Sequence, residues 1–155
     1  MECLARYNTY LTKGIKHVAF SNDGELVAAS GMDDDHSLVV FKWKTAKSSK
    51  QAGPLFSGKG PSANIWSLGF SPDKSELIAT CTREVNFYSL ENGVIKGRKG
   101  TGWTKDPGAV PCQAYVEGTL FTGTHDGLIV RWTGTSVSKE KKAHESAIYA
   151  MQSRT

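Results

Sequence analysis

Phe20-Ser-Asn-Asp-Gly-Glu-Leu-Val-Ala28 and Phe70-Ser-Pro-Asp-Lys-Ser-Glu-Leu-Ile-Ala79 are two versions of one phrase. Each closes an apolar run on an aromatic, turns through Ser and Asp, and opens a second apolar run. Asp and Asn end strands because their side chains cap the local backbone, and Gly accepts positive φ. Upstream of each aromatic lies a short strand, Ile15 to Phe20 and Ile65 to Phe70. Downstream lie Leu26 to Ser30 and Glu76 to Cys81, then Leu38 to Trp43 and Val85 to Leu90. The layout recurs as Pro111 to Val116, Thr119 to Gly123 and Leu128 to Trp132, punctuated by Glu117-Gly118 and Asp126-Gly127. Fourth strands are expected near Pro54 to Ser57, Val94 to Arg98 and Ser136 to Lys139.

Two aromatic sets keep the same register. Phe20, Phe70 and Tyr115 are 50 and then 45 residues apart, and Phe41, Tyr88 and Trp132 are 47 and then 44 apart. These six are expected to be the repeat-core aromatics. No stretch carries apolar residues at helical spacing for ten residues. Three or four short strands per unit at this period predict an all-β chain of β-propeller blades. A single small sandwich would satisfy the strand count but not the threefold recurrence.

The bulk properties agree with a globular domain. Of 155 residues, 39% are apolar and 22% charged, with 16 glycines. Lys and Arg total 19 against 15 Asp and Glu, a formal charge of +4, which allows an acidic partner without demanding one. Cys3, Cys81 and Cys112 match no zinc or redox spacing and read as free thiols in a reducing compartment. No apolar run approaches the eighteen or so residues of a membrane helix, so no membrane partner is expected.

The residues resemble WD40 repeats. The two phrases above match the end of a first blade strand and the start of a second. Thr124-His-Asp-Gly-Leu-Ile-Val-Arg-Trp132 matches the turn into a third strand and that strand, and Ala143-His-Glu-Ser-Ala-Ile-Tyr-Ala-Met151 matches the His-containing lead-in to a further blade. The Trp-Asp pair is absent, its places holding Phe41-Lys42, Tyr88-Ser89 and Trp132-Thr133. Pro111-Cys-Gln-Ala-Tyr115 with the Ala143-His lead-in is similar to the echinoderm microtubule-associated protein-like family, over residues 15 to about 151. The resemblance implies a structural turn network of Asp35, Asp126 and His144, in which the Asp accepts backbone bonds and faces the lead-in His.

The expected organisation is a closing strand or leader over 1–14, blades over 15–62, 63–107 and 108–142, and the start of a fourth blade over 143–155. About three blades plus a start make an incomplete ring. Its outer faces would leave apolar surface uncovered, so self-association, or cover from the remainder of a longer propeller chain, is expected. Sedimentation at micromolar concentration checks this, and a sharp 17 kDa monomer with cooperative unfolding would speak for a self-contained sandwich.

Nothing in the sequence points to catalysis. His17, His36, His125 and His144 read as packed or turn positions, no nucleophile elbow or phosphate loop occurs, and Asp33, Asp34 and Asp35 read as a solvated insert rather than a metal site. No cofactor and no enzyme activity are expected. The candidate partner-binding residues are Lys42, Lys44, Lys96, Arg98, Lys99 and Trp103, near blade edges and connectors where propellers present binding surface. The resemblance implies a cytoplasmic, cytoskeletal scaffold that binds protein, with tubulin or microtubules as the partner. The alternatives are a general WD40 adaptor in another complex and an RNA-binding propeller, although +4 and the absence of an RNA or DNA module argue against nucleic acid.

Overall fold

The computed structural model describes residues 11–43 and 53–153. Among these residues twelve strands make three antiparallel meanders of four. The first holds β1 (Ile15–Phe20), β2 (Leu26–Gly31), β3 (Leu38–Lys42) and β4 (Phe56–Gly58). The second holds β5 (Ile65–Phe70), β6 (Glu76–Cys81), β7 (Val85–Glu91) and β8 (Val94–Lys99). The third holds β9 (Cys112–Val116), β10 (Thr119–Gly123), β11 (Leu128–Thr133) and β12 (Ser136–Lys142). The first two meet edge to edge through a single parallel bridge, Ser57 to Val94. Their first strands run side by side, β1 with β5 and β5 with β9, so the units fan out from a common inner edge. This is an all-β arc of three four-stranded blades. Among the described residues no helix is long and apolar enough to cross a membrane.

Strand alternation sends successive side chains to opposite sheet faces, and in the second blade each side meets another blade. Ala28, Leu38 and Val40 of the first blade pack on Ile65, Phe70, Leu77, Ala79, Tyr88 and Ile95 of the second. Ile78, Val85 and Phe87 leave the second blade on its other side and pack on Leu120, Val130 and Trp132 of the third, with Val110 from the connector. In each register Phe70 or Tyr115, and Tyr88 or Trp132, point back toward the preceding blade. Five of the six expected aromatics are largely or partly covered, but Phe20 is 59% exposed. Its register partner is Val27, on the first-blade face turned away from the second blade. There, among the described residues, Leu11, Ala29, Val39 and Phe41 form a small buried cluster. Phe20 rests edge-on against Trp43, with centroids 6.2 Å apart, and Val18 on the same face is 56% exposed.

The loop from the second to the third strand of each blade is clipped by the chain leaving that blade. Asp35 carbonyl accepts from Gly60 N–H at 3.0 Å, and the His36 ring nitrogen lies 2.7 Å from the Pro61 carbonyl. Arg83 N–H donates to the Gly108 carbonyl, and Ala143 and His144 N–H both donate to Gly127. A left-handed residue marks each clip: His36, Arg83 and Gly127 at φ 45°, 68° and 79°. Beyond the clip, 143–153 continue without a strand and bury Ile148 against the third blade. Of the closing strand or leader expected over 1–14, residues 1–10 lie outside the described residues.

Candidate functional site

The turn network forms, but on other residues than expected. In the first blade Ser37 N–H and its hydroxyl donate to Asp33 Oδ1, at 3.1 and 2.8 Å. In the third, Leu128 N–H donates to Thr124 Oγ1 at 3.1 Å. Both acceptors stand four residues before their donor, where the chain leaves the second strand. Asp35 and Asp126 lie two residues later and have already turned outward. Asp35 pairs with Lys59 at 3.2 Å and Asp126 with Lys105 at 3.1 Å, and Lys105 holds the Asp126 carboxyl below the usual carboxylate range. His144 docks through its backbone on Gly127 while its side chain is exposed, so no Asp126–His144 contact is made.

His17 joins two blades. Its Nε2 donates to the Ile65 carbonyl across 3.0 Å, from β1 to β5. Burial pushes its pKa down, partly offset by that hydrogen bond. A histidine whose folded pKa lies below its unfolded value of about 6.5 binds more protons when unfolded. Its contribution to stability is therefore complete above that pH and is lost as pH falls through the window beneath it. Urea midpoints should drop between pH 7.5 and 5, and His17→Gln should flatten that drop. An equal slope in the variant would assign it to other groups.

Of the candidate partner-binding residues, Lys99 and Trp103 line one cleft. Lys96, Arg98 and Lys99 share β8, where Arg98 pairs with Glu76 and Lys99 with Glu84. Lys42 ends β3 in the first blade, and Lys44 lies outside the described residues. Trp103 sits in the connector after β8 with its ring edge-on to Trp132, centroids 5.2 Å apart. That contact packs the indole into the second blade junction rather than presenting it as a stacking platform.

Sequence reasoning missed two clefts. One, at the connector end, is lined by Arg83, Glu84, Lys99, Trp103, Lys105 and Asp106, and its charges neutralise one another as Arg83–Asp106 and Lys99–Glu84 pairs. The other opens between the second and third blades at the opposite end. Asp73 and Glu76 stand at its rim, over Phe87, Tyr115 and Trp132. Only the hairpin lengths of the two blades, compared residue by residue, could have pointed to it.

A family model described as "WD domain, G-beta repeat" matches residues 1–42. The structure of RRP9 WD40 repeats superposes on 95% of this chain and 44% of its own, with a TM-score of 0.72 at 15% identity. The fold is a WD40-like β-propeller. In sequence, the propeller is 31% identical over 142 residues to mouse "Echinoderm microtubule-associated protein-like 2", covering 86% of this chain and 21% of that protein. It is 26% identical over 130 residues to "Cilia- and flagella-associated protein 44" of Trypanosoma brucei brucei, covering 79% and 7%. The chain thus spans about a fifth or less of the length of these relatives. It is related to both groups at modest identity.

The propeller's described residues include no cluster of three His, Cys, Asp or Glu side chains able to hold a metal. Cys81 is fully buried, and burial pushes its thiol up to about 12. What the blades offer is surface: clefts between them and turns at their ends, the arrangement of a protein-interaction scaffold.

Proposed function

We propose that this propeller serves a microtubule- or tubulin-associated scaffold in the cytoplasm, bound to the cytoskeleton. The observation that carries the reading is the 31% identity to echinoderm microtubule-associated protein-like 2 across 86% of the chain. The formal charge of +4 suits an acidic partner surface electrostatically. The test is retention of purified tubulin, and co-sedimentation with microtubules, at about 150 mM salt, where exposed charges further apart than roughly 8 Å are screened. Retention that survives excess heparin supports the reading. Retention abolished by heparin reduces it to charge alone, and no retention of either form overturns it. A second reading, a scaffold in the ciliary or flagellar axoneme, is favoured by the match to cilia- and flagella-associated protein 44. Localisation of the tagged protein in a ciliated cell separates the two.

A further inference from the structure

The two blade junctions begin alike and finish differently. At the first, the β5–β6 hairpin sends Lys74 back onto the β1–β2 hairpin. Its ammonium pairs with Asp23 Oδ2 and lies 3.2 Å from Glu25 Oε2. Asp23 Oδ1 meanwhile accepts from the Ser21 hydroxyl at 2.6 Å and the Glu25 N–H at 3.0 Å. Asp73 repeats that frame in the second blade, accepting from the Ser71 hydroxyl at 2.6 Å and the Ser75 N–H at 3.1 Å. Its Oδ2, the atom that corresponds to the lysine's partner, meets only the Ser75 hydroxyl at 2.9 Å.

The missing cation has a cause in the third blade's hairpin. Six residues, 71–76, separate the paired Phe70 and Leu77, whereas four, 116–119, separate Tyr115 and Leu120. The shorter turn has no position equivalent to Lys74. A cleft of about 360 Å³ is left between the blades, walled by Phe87, Tyr115 and Trp132. Glu76, at the rim, is already paired with Arg98. Asp73 has no cationic partner among the described residues.

We propose that this cleft receives a lysine side chain from a segment of a partner protein, with its ammonium on Asp73 and its methylene stem along Tyr115. The first junction shows that the frame accepts an ammonium, because Lys74 supplies one there. Asp73 and Glu76 both line the cleft, and burial first, then their charges, push the Tyr115 hydroxyl up to about 12. An aromatic wall covers a lysine stem and attracts its charged head. The rim also leaves room for a polypeptide backbone. Gly118 and Gly134 line the cleft, and a Cβ at either would meet open space. This inference does not depend on which scaffold the propeller serves.

The test is an amide NMR titration of the chain with acetyl-Gly-Lys-Gly-amide, its norleucine counterpart and butylammonium. The lysine peptide should shift Ser71, Asp73, Ser75, Gly118 and Gly134 saturably, with a Kd of roughly millimolar. Asp73→Asn keeps an acceptor for Ser71 and should weaken binding roughly tenfold or more, as the loss of a charged contact does. Lys74→Gly places glycine at φ 63° and empties the first junction. It should create a second site reported by Ser21 to Glu25. Equal binding by norleucine, indifference to Asp73→Asn, or no second site in Lys74→Gly overturns the proposal. Butylammonium binding as tightly as the peptide overturns its polypeptide half.

Discussion

Trp132→Ala should lower the stability of the chain by about 3–5 kcal/mol, the range for truncating a buried large aromatic. Trp132 is 2% exposed and stands at the centre of the second blade junction. Its ring meets Phe87 edge-on with centroids 5.4 Å apart, and Trp103 at 5.2 Å. Its indole N–H donates to Thr122 Oγ1 at 3.0 Å, so truncation also strips a fully buried hydroxyl of its partner. Gly100 fits because its hydrogen lies against the Trp132 ring, where a Cβ would come within 2.7 Å. Replacing the tryptophan by Ala therefore opens a void shared by three segments, which cannot all collapse into it. Chemical denaturation measures the loss. A midpoint unchanged within error would place Trp132 on the surface and break the blade register.

Gly127→Ala should unseat the run that follows the third blade. Gly127 holds φ at 79°, a region that costs a residue with a Cβ roughly 1–3 kcal/mol. The added Cβ would also fall inside the His144 carbonyl oxygen and within 2.6 Å of that of Ser146. These are backbone atoms and cannot rotate away. The clip from Ala143 and His144 would open, and Ile148 would leave its seat on Gly123 and Cys112. A thiol reports this directly. Cys112 Sγ donates to the Ile148 carbonyl at 3.2 Å and is buried. In the variant Cys112 should alkylate at least about tenfold faster with iodoacetamide, as local opening replaces global unfolding as the route of access. Cys81, buried within the first junction, should stay protected. Equal protection of both thiols would show that the clip is not what holds 143–148.

The strands were legible because their signals are local. Alternating apolar runs ended by Ser-Asn-Asp-Gly or Ser-Pro-Asp-Lys place β1 and β5 as the structure has them, and the aromatic spacing places β3, β7 and β11 in one register. What escaped depends on neighbours. Phe20 and Phe70 sit in the same phrase, yet one is 59% exposed and the other 7%, because burial here is decided by the adjoining blade and not by the strand. The turn acceptor was read two residues late, since Asp33, Asp34 and Asp35 offer the same chemistry and only the strand exit distinguishes them. His36 and Arg83 hold left-handed conformations that glycine would advertise and they do not. The packing of Trp103 on Trp132 escapes the sequence because a connector's path across a junction leaves no periodicity to read. The cleft at Asp73 follows from a two-residue difference in hairpin length, which matters only once a sheet register has been drawn.

Among the described residues the seams between the blades carry few backbone hydrogen bonds, chiefly Ser57 to Gly93 at the first and Arg83 to Gly108, Val110 to Cys81, Thr101 to Thr135 and Val137 to Thr101 at the second. One parallel bridge joins β4 to β8, and the isolated bridges Thr82–Ala109 and Thr101–Ser136 tie the second blade to the chain beyond it. Mostly side chains hold the seams, whereas within a blade every strand is laced to its neighbour. Under tension applied along the polypeptide, such an arrangement fails at the seams and then releases each meander as a unit. Rupture should come in discrete steps of one repeat, 44 to 50 residues, each paying out roughly 150 Å of extended chain. A pulled propeller of this build would absorb load as a series of fuses.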